Sequence, residues 1–333
     1  MADKFNAVVI DQDGENFKRE IKNLDLNFLN HGEVLVKVDY SDLNYKDALI
    51  LKNGGKLVKD FPLIPGIDLS GTVLESTSEK FKKDDEIIVT GCRVGEIYHG
   101  GYSQIAKIKE DLLIHKPSNL NSKQAMILGT AGFTALLCAF AVNAREEILL
   151  GEKVNDVLVT GATGGVGTVA VMALSKIGYN VTAVTGKPDQ EKMLKNLGAK
   201  NIISRAEFDG EPKLLNKGLW DGVVDTVGGN ILAHAISQTK HSGIVAACGN
   251  AGGIKLNTNV MPFILRGVKL WGIDSIQVSM KRREFVWSQV ERLIDFKILD
   301  QIVQTINLNE LLNIFPKMLN GETSGRIVVD VNK

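Results

Sequence analysis

Three cysteines in 333 residues, Cys92, Cys138 and Cys248, cannot make a disulfide framework. Their odd number and wide spacing suit reduced cytosolic thiols and argue against an oxidising compartment. Charge of one sign is equally lacking: 39 Lys and Arg balance 39 Asp and Glu, so neither nucleic acid nor an anionic membrane is expected as a partner. No apolar run is read as approaching the roughly 20 residues that a membrane-spanning helix needs. The opening residues, Met-Ala-Asp-Lys-Phe-Asn, carry no hydrophobic signal core. Together these absences predict a soluble, cytoplasmic protein. The chain also lacks an internal repeat or a low-complexity tract, and its length exceeds one hydrophobic core, so two domains are expected.

Glycine is what the chain has, and its most informative cluster lies at residues 156–167, Asp-Val-Leu-Val-Thr-Gly-Ala-Thr-Gly-Gly-Val-Gly. Val157, Leu158 and Val159 form a short apolar, β-branched run of the kind buried on both faces of a sheet. Residues 166–177 then carry apolar positions at helical spacing. Strand, glycine turn and helix make the first half of a βαβ unit that binds dinucleotides. Gly164 and Gly165 are expected to let the backbone turn and approach a ligand, with the helix N-terminus facing a pyrophosphate. Gly167 is expected to let helix and strand pack closely. Ala162 stands where the first glycine of G-x-G-x-x-G would be.

Before this motif, short runs at 5–10, 34–38, 71–74, 86–89 and 104–108 have strand composition, separated by turn signals such as Asp13-Gly14, His31-Gly32 and Asp84-Asp85. They predict a folded-over antiparallel barrel. From Ser122 the pattern becomes helical. After the motif, strands at 180–185, 201–204, 221–225, 243–247 and 269–272 alternate with helices, one of them at 192–197, which predicts a parallel, doubly wound sheet. A charged amphipathic helix is expected at 281–296. A closing strand, helix and strand at 303–308, 311–319 and 326–331 are expected to return to the first domain.

This layout resembles the medium-chain dehydrogenases/reductases over essentially the whole chain. The likeness is carried by Asn44-Tyr45-Lys46-Asp47, Pro65-Gly66-Ile67-Asp68-Leu69-Ser70-Gly71, Gly100-Gly101-Tyr102, Gly129-Thr130-Ala131-Gly132-Phe133-Thr134-Ala135 and the glycine turn. It implies an α/β protein with a GroES-like β-barrel catalytic domain at 1–124, a C-terminal return at 299–333, and a doubly wound Rossmann domain at 125–298. Short-chain dehydrogenases place their glycine motif near the N-terminus and need Tyr-x-x-x-Lys. None of the five tyrosines here has a lysine four residues on.

Zinc alcohol dehydrogenases of the superfamily carry Gly-His-Glu where this chain has Gly66-Ile67-Asp68, so Ile67 replaces a ligand histidine. No cysteine lies near Asn44, and three scattered cysteines cannot build a four-cysteine zinc lobe. No zinc is expected, and Cys92 and the five histidines read as structural or surface residues. Without a Lewis acid to hold an alkoxide, reduction of a polarised C=C or a quinone is favoured over alcohol oxidation. The second strand ends in Thr185-Gly186-Lys187-Pro188, with no acid before Asp189 to hold a ribose 2′-hydroxyl. Lys187, Thr185 and Arg205 suit a 2′-phosphate, so NADPH is expected over NADH.

Within the zinc-free branch the chain is similar to the acrylyl-CoA reductase type of quinone oxidoreductase. The residues that carry this are 43–49, 61–68, Ala246-Ala247-Cys248-Gly249, Met261-Pro262-Phe263-Ile264-Leu265-Arg266-Gly267-Val268 and Gly272-Ile273-Asp274-Ser275. The resemblance implies NADPH-dependent reduction of acryloyl-CoA to propionyl-CoA in a homodimer. It implies NADPH contacts at Tyr45, Thr163, Gly164, Gly165, Val166, Thr185, Gly186, Lys187, Arg205, Asn250, Ile264, Ser275 and Asn320. Asn250 departs from the family, which tends to have an apolar residue there. Asn44 and Tyr45 are the candidates for orienting the thioester or donating a proton, with a merely stacking Tyr45 as the alternative. Asp68 reads as a structural hydrogen-bond partner, and Lys281, Arg282, Arg283 and Arg326 as a basic rim for coenzyme A phosphates. Two other functions stay open, a general quinone or enone reductase and an NADPH-binding protein without turnover.

Overall fold

The computed structural model of the chain describes residues 4–148 and 153–333. Met1, Ala2 and Asp3, part of the stretch read for a signal core, lie outside it. In chain order come β1 (Lys4–Asp13), β2 (Asn16–Asp25), β3 (Val34–Asp42), α1 (Tyr45–Asn53), β4 (Asp68–Ser76), β5 (Glu86–Thr90), β6 (Ile105–Ile108), β7 (Ile114–His115) and the long α2 (Ser122–Ile148). The alternating stretch follows with β8 (Asp156–Val159), α3 (Gly165–Ile177), β9 (Asn180–Thr185), α4 (Glu191–Asn196), β10 (Asn201–Ser204), β11 (Trp220–Asp225), α5 (Gly229–Ser237), β12 (Thr239–Ala247), α6 (Met261–Arg266) and β13 (Lys269–Gly272). The chain closes with α7 (Met280–Ser288), α8 (Val290–Leu293), α9 (Phe296–Leu299), β14 (Val303–Ile306), α10 (Leu308–Leu319) and β15 (Arg326–Asp330).

These elements form two compact units, residues 1–130 with 276–288 and 303–333, and residues 131–275 with 289–302. In the first unit β1 and β2 make a hairpin, and a larger sheet runs β14-β15-β3-β4-β5-β7 with β6 on β3. Alternate side chains of these strands, such as Val34, Val36 and Val38 of β3 and Ile327 and Val329 of β15, turn inward to one core. The hairpin partner β2 has no counterpart among the expected strands. Its Lys, Arg, Glu and Asn residues hide any alternation, and it forms by pairing with β1 from Lys4↔Asp25 to Asp13↔Asn16.

The second unit holds a six-stranded parallel sheet in the order β10-β9-β8-β11-β12-β13. Counted from β8, this is the 3-2-1-4-5-6 order of a doubly wound dinucleotide fold, and its switch point lies between β8 and β11. Helix α3 buries Gly167 to Leu174. A Cβ at Gly167 would meet Gly161 O at 2.3 Å, so this glycine does permit close packing of helix on turn. The left-handed residue of the turn is Gly161, at φ +59°, whereas Gly164 has an ordinary φ of −82°. The chain therefore reverses at Gly161, three residues before the Gly164 at which the sequence reading placed the turn.

Three further expectations are corrected. Residues 122–145 of α2 are long and apolar enough to cross a membrane, but 89% of the most apolar window is buried inside the protein. Gly129, Thr130, Thr134 and Asn143 interrupt the apolar run and disguise its length. On the sheet, α2 fits because β11 offers Gly222, where a Cβ would meet Val142 Cγ1 at 2.4 Å. The helix expected at 281–296 is broken into α7, α8 and α9. Ile294 is extended and the Asp295 side chain caps α9 by accepting from Lys297 N at 3.1 Å. The strand expected at 303–308 stops at Ile306, because Asn307 and Glu310 form a capping box that starts α10. Folding also brings Cys248, distant in sequence, near enough to Cys138 to push its thiol up together with burial.

Candidate active site

The carboxyl edge of the parallel sheet is built around the switch point. At the end of β8, Thr160 Oγ1 donates to Asp225 Oδ1 of β11 at 2.6 Å and accepts from Thr226 N at 3.1 Å. Thr226 Oγ1 donates back to Thr160 O at 2.9 Å, and Asp225 Oδ2 accepts from Gly228 N at 2.7 Å. Asp225 is buried, and that burial pushes its carboxyl up while the Thr160 and Gly228 donors hold it back. This knot fixes Gly161, whose Cβ would meet Thr226 Oγ1 at 2.3 Å. Thr163 and the α3 N-terminus at Gly164, Gly165 and Val166 follow directly. The first amides of a 13-residue helix there have no helical acceptor and suit a pyrophosphate.

One strand over, Thr185 Oγ1 accepts from Lys187 N at 3.0 Å and lies 3.5 Å from Thr163 Oγ1. Gly186 faces the Arg205 guanidinium: a Cβ there would sit 3.1 Å from Arg205 Cζ. The ends of β8, β9 and β10 thus gather Thr163, the glycines, Thr185, Lys187 and Arg205 at one sheet edge. Asn250 lies in the loop after β12, its carbonyl accepting from Gly253 N at 3.0 Å, and Ser275 follows β13. Ile264 sits on α6 and is 68% exposed. Tyr45 and Asn320 belong to the other unit, Asn320 as the C-cap of α10 with its Nδ2 donating to Glu322 Oε1 at 3.0 Å. The residues at the ends of β8 and β9 fit a phosphorylated dinucleotide, since the Gly186 face is open to the cation beside it.

In the first unit the candidate catalytic residues start α1. Tyr45 is its first residue and is 37% exposed, while Asn44 before it is 8% exposed. Asn44 Nδ2 donates to Asp42 Oδ1 at 2.8 Å and to Asp68 Oδ2 at 2.9 Å, so both amide hydrogens are committed. Its N–H donates to Asp47 Oδ2 at 3.0 Å, and Asp47 Oδ1 accepts from Ile67 N at 2.9 Å. Asp68 also accepts from Gly91 N at 2.9 Å and from Thr130 N and Oγ1, each at 2.6 Å, which supports its reading as a structural partner. Asn44 positions and Tyr45 projects.

Arg326 and Arg283 are not rim residues. Each is 2% exposed. Arg326 pairs with Asp42 and donates from Nε to Ile127 O at 2.6 Å, while Arg283 donates to Thr90 O at 2.8 Å and Ile276 O at 2.9 Å. A guanidinium has five donors and can satisfy buried carbonyls as readily as phosphates, and an exposed-looking basic run does not reveal which. Sequence reasoning missed Asp42, Asp225 and Thr160 as organising residues. Each is an ordinary strand-end residue whose partner lies far along the chain. Among the described residues no group of three or more His, Cys, Asp or Glu is placed to hold a metal ion, and Ile67 is buried.

Residues 30–118 match the family model described as an alcohol dehydrogenase GroES-like domain, and residues 165–293 the one described as zinc-binding dehydrogenase. The chain is 45% identical over 331 residues to acrylyl-CoA reductase AcuI of Ruegeria pomeroyi, covering 98% of this chain and 99% of that protein. The chain belongs to the medium-chain dehydrogenase/reductase family. Its two units are that family's GroES-like domain and Rossmann domain. Among solved members, the yhdH oxidoreductase of Salmonella enterica in complex with NADP matches with a TM-score of 0.94 and 41% identity, covering 98% of this chain and all of that one (100%). YhfP of Bacillus subtilis, named a putative quinone oxidoreductase and solved with NAD bound, matches with a TM-score of 0.92 and 41% identity, covering 98% and 99%.

The nest around Asn44 has a measurable consequence. Burial, then the neighbouring Asp68, raises the Asp47 carboxyl from 3.8 to about 7. The folded state therefore holds a proton that the unfolded state has released, and stability falls as pH rises from about 4 to about 7, by up to about 1.4 kcal/mol per pH unit, then levels. Asp47→Asn removes this proton. We expect a flatter stability profile between about pH 5 and 7.5 by urea unfolding, offset downward by roughly 1–3 kcal/mol for the lost acceptor. Parallel profiles would contradict the assignment.

Proposed function

We propose that this protein is an NADPH-dependent oxidoreductase that reduces the C=C bond of an enoyl thioester, acryloyl-CoA to propionyl-CoA, without zinc. The observation that carries the reading is the Arg205 guanidinium against Gly186, beside Thr185 and Lys187, with no carboxylate before Asp189. That arrangement suits a 2′-phosphate and lacks the acid that usually holds a free 2′-hydroxyl. The substrate follows from the likeness to acrylyl-CoA reductase AcuI over the full chain. When bound, NADPH supplies a hydride to the β-carbon.

The chain's own residues divide the remaining work. Amides of Gly165 and Val166 hold the pyrophosphate, Gly164, whose N–H donates to Gly161 O at 2.9 Å, lets it approach the turn, and Arg205 with Lys187 holds the 2′-phosphate. Asn250, Ile264, Ser275 and Asn320 complete the cofactor contacts in this proposal. Tyr45 delivers a proton to the α-carbon or orients the thioester while charge builds on its oxygen. Asn44 holds Tyr45 in place. A general quinone or enone reductase is the second reading, favoured by the likeness to YhfP.

A homodimer belongs to the same proposal. Leu265, Leu270 and Trp271 are exposed on α6 and on β13, the edge strand of the parallel sheet, which is an apolar edge suited to a second copy. A cytoplasmic location is likewise proposed, supported by three free thiols. Light scattering at micromolar concentration should return twice the 36.3 kDa chain mass, and a monomer would contradict the dimer.

NADPH oxidation with acryloyl-CoA, crotonyl-CoA and a simple quinone tests the activity. Turnover should be fastest with acryloyl-CoA, and Arg205→Ala should raise the KM for NADPH about tenfold to a hundredfold while leaving that for NADH nearly unchanged. Turnover with the quinone alone would favour the second reading. Equal use of NADH by the unmodified protein would contradict the Arg205 assignment. Tight NADPH binding with no oxidation of it would leave a binding protein.

A further inference from the structure

Asp42 and Asp68 converge on one side chain. One nitrogen, Asn44 Nδ2, donates to both, at 2.8 and 2.9 Å. The point that a Cβ on Gly129 would occupy is 1.9 Å from Asp42 Oδ2 and 2.7 Å from Asp68 Oδ2. The backbone can pass there only because residue 129, at φ +51°, has no side chain. Two carboxylates gathered around one amide nitrogen and one glycine are like charges at close range, and one proton held between them relieves the repulsion.

The charges around the pair demand the same. Both side chains are fully buried, as are Asp47 of α1 and the Tyr102 phenol, whose OH donates to Asp42 O at 2.9 Å. Burial pushes the Cys92 thiol after β5 up, with Arg283 of α7 pulling it down and Asp68 adding to the rise. The cation in contact is Arg326 of β15, which pairs with Asp42 and reaches Asn44 Oδ1 at 3.4 Å. Above the Asp47 pKa of about 7, three buried anions against one guanidinium would leave two uncompensated charges in a low-dielectric core. Burial and then Asp68 push the Asp42 carboxyl well above the usual range, against the pull of Arg326.

We propose that Asp42 and Asp68 share one proton, and that this proton makes Asp42, Asp68 and Asn44 positioning residues for Tyr45 in the reduction. With the proton, the pair carries one negative charge, matched by Arg326, and both carboxyls grip the Asn44 amide. Without it, two anions repel across that amide, and the first turn of α1, which begins with Tyr45, loses its anchor. The shared proton is a property of the folded chain alone. Only its kinetic effect rests on the function proposed above.

Infrared spectroscopy of the protein without substrate, well above the Asp47 pKa of about 7, tests the proton directly. A protonated-carboxyl stretch that shifts in D2O is expected, and it should vanish in Asp42→Asn. No such band in the unmodified protein would overturn the proposal. In kinetics, kcat should fall along an alkaline limb as the proton leaves. Asp42→Asn should abolish that limb and lower kcat about tenfold, with the NADPH Kd changed less than about threefold. An unchanged limb, or kcat and Kd shifting together, would overturn the positioning role. Should Asp42→Asn not fold, Thr130→Val removes one donor to Asp68, which strengthens proton retention and should move the limb to higher pH. No movement would also overturn it. A protein with the band but no thioester turnover would overturn the reduction reading and the positioning role, and leave the shared proton standing.

Discussion

The reversal of strand order at β8 is the constraint on which the nucleotide unit depends. Helices leaving β8 and β11 diverge to opposite faces, so the carboxyl ends of these strands are left without a covering connection. The Thr160, Asp225 and Thr226 side chains bind that opening together, at 2.6 to 3.1 Å, and hold Gly161 in its left-handed turn. The proposed pyrophosphate and 2′-phosphate contacts follow from this point. Helix α3 starts where the turn releases it, and its unpaired amides face the crevice. The ends of β9 and β10 then bring the Thr185 loop and Arg205 alongside one another.

The first unit solves a different problem, that of projecting a half-exposed tyrosine from a fixed base. It does so with buried charge. Asp42, Asp68 and Arg326 come from three separate strands and converge on one amide, that of Asn44. Such a cluster contributes little net stability, because its desolvation cost offsets its internal attraction. Its value lies in geometry: removing any one partner leaves another buried and unpaired, so the arrangement tolerates few alternatives. The closing strand β15 is part of this base because it pairs with β3 and brings Arg326 to Asp42. An apolar core could fill the same volume but would not fix the direction of the α1 N-terminus.

Much of this was legible from residue order alone. The apolar strands of the parallel sheet and the helix after the glycine turn announced themselves through local pattern, because their burial is nearly complete and their periodicity undisturbed. Thr185, Gly186 and Lys187 could be assigned to one loop, and Arg205 to the next strand end, before their contact was known. What stayed hidden depends on partners distant in the chain. Strand β2 is a strand only because β1 pairs with it. Arg283 and Arg326 look like surface cations until the carbonyls of Thr90 and Ile127 take their donors. The role of Asp42 requires three remote residues at once, and the membrane-length apolar character of α2 was masked by its interleaved glycines and threonines.

The central claim is that this protein adds hydride from NADPH to the β-carbon of an enoyl thioester and a solvent-derived proton to the α-carbon. NADPH deuterated at the transferring C4 position, incubated with acryloyl-CoA in ordinary water, tests it most directly by NMR of the propionyl-CoA formed. The account predicts one deuterium at the β-carbon and none at the α-carbon. Deuterium at the α-carbon, or its absence from the product, would contradict it.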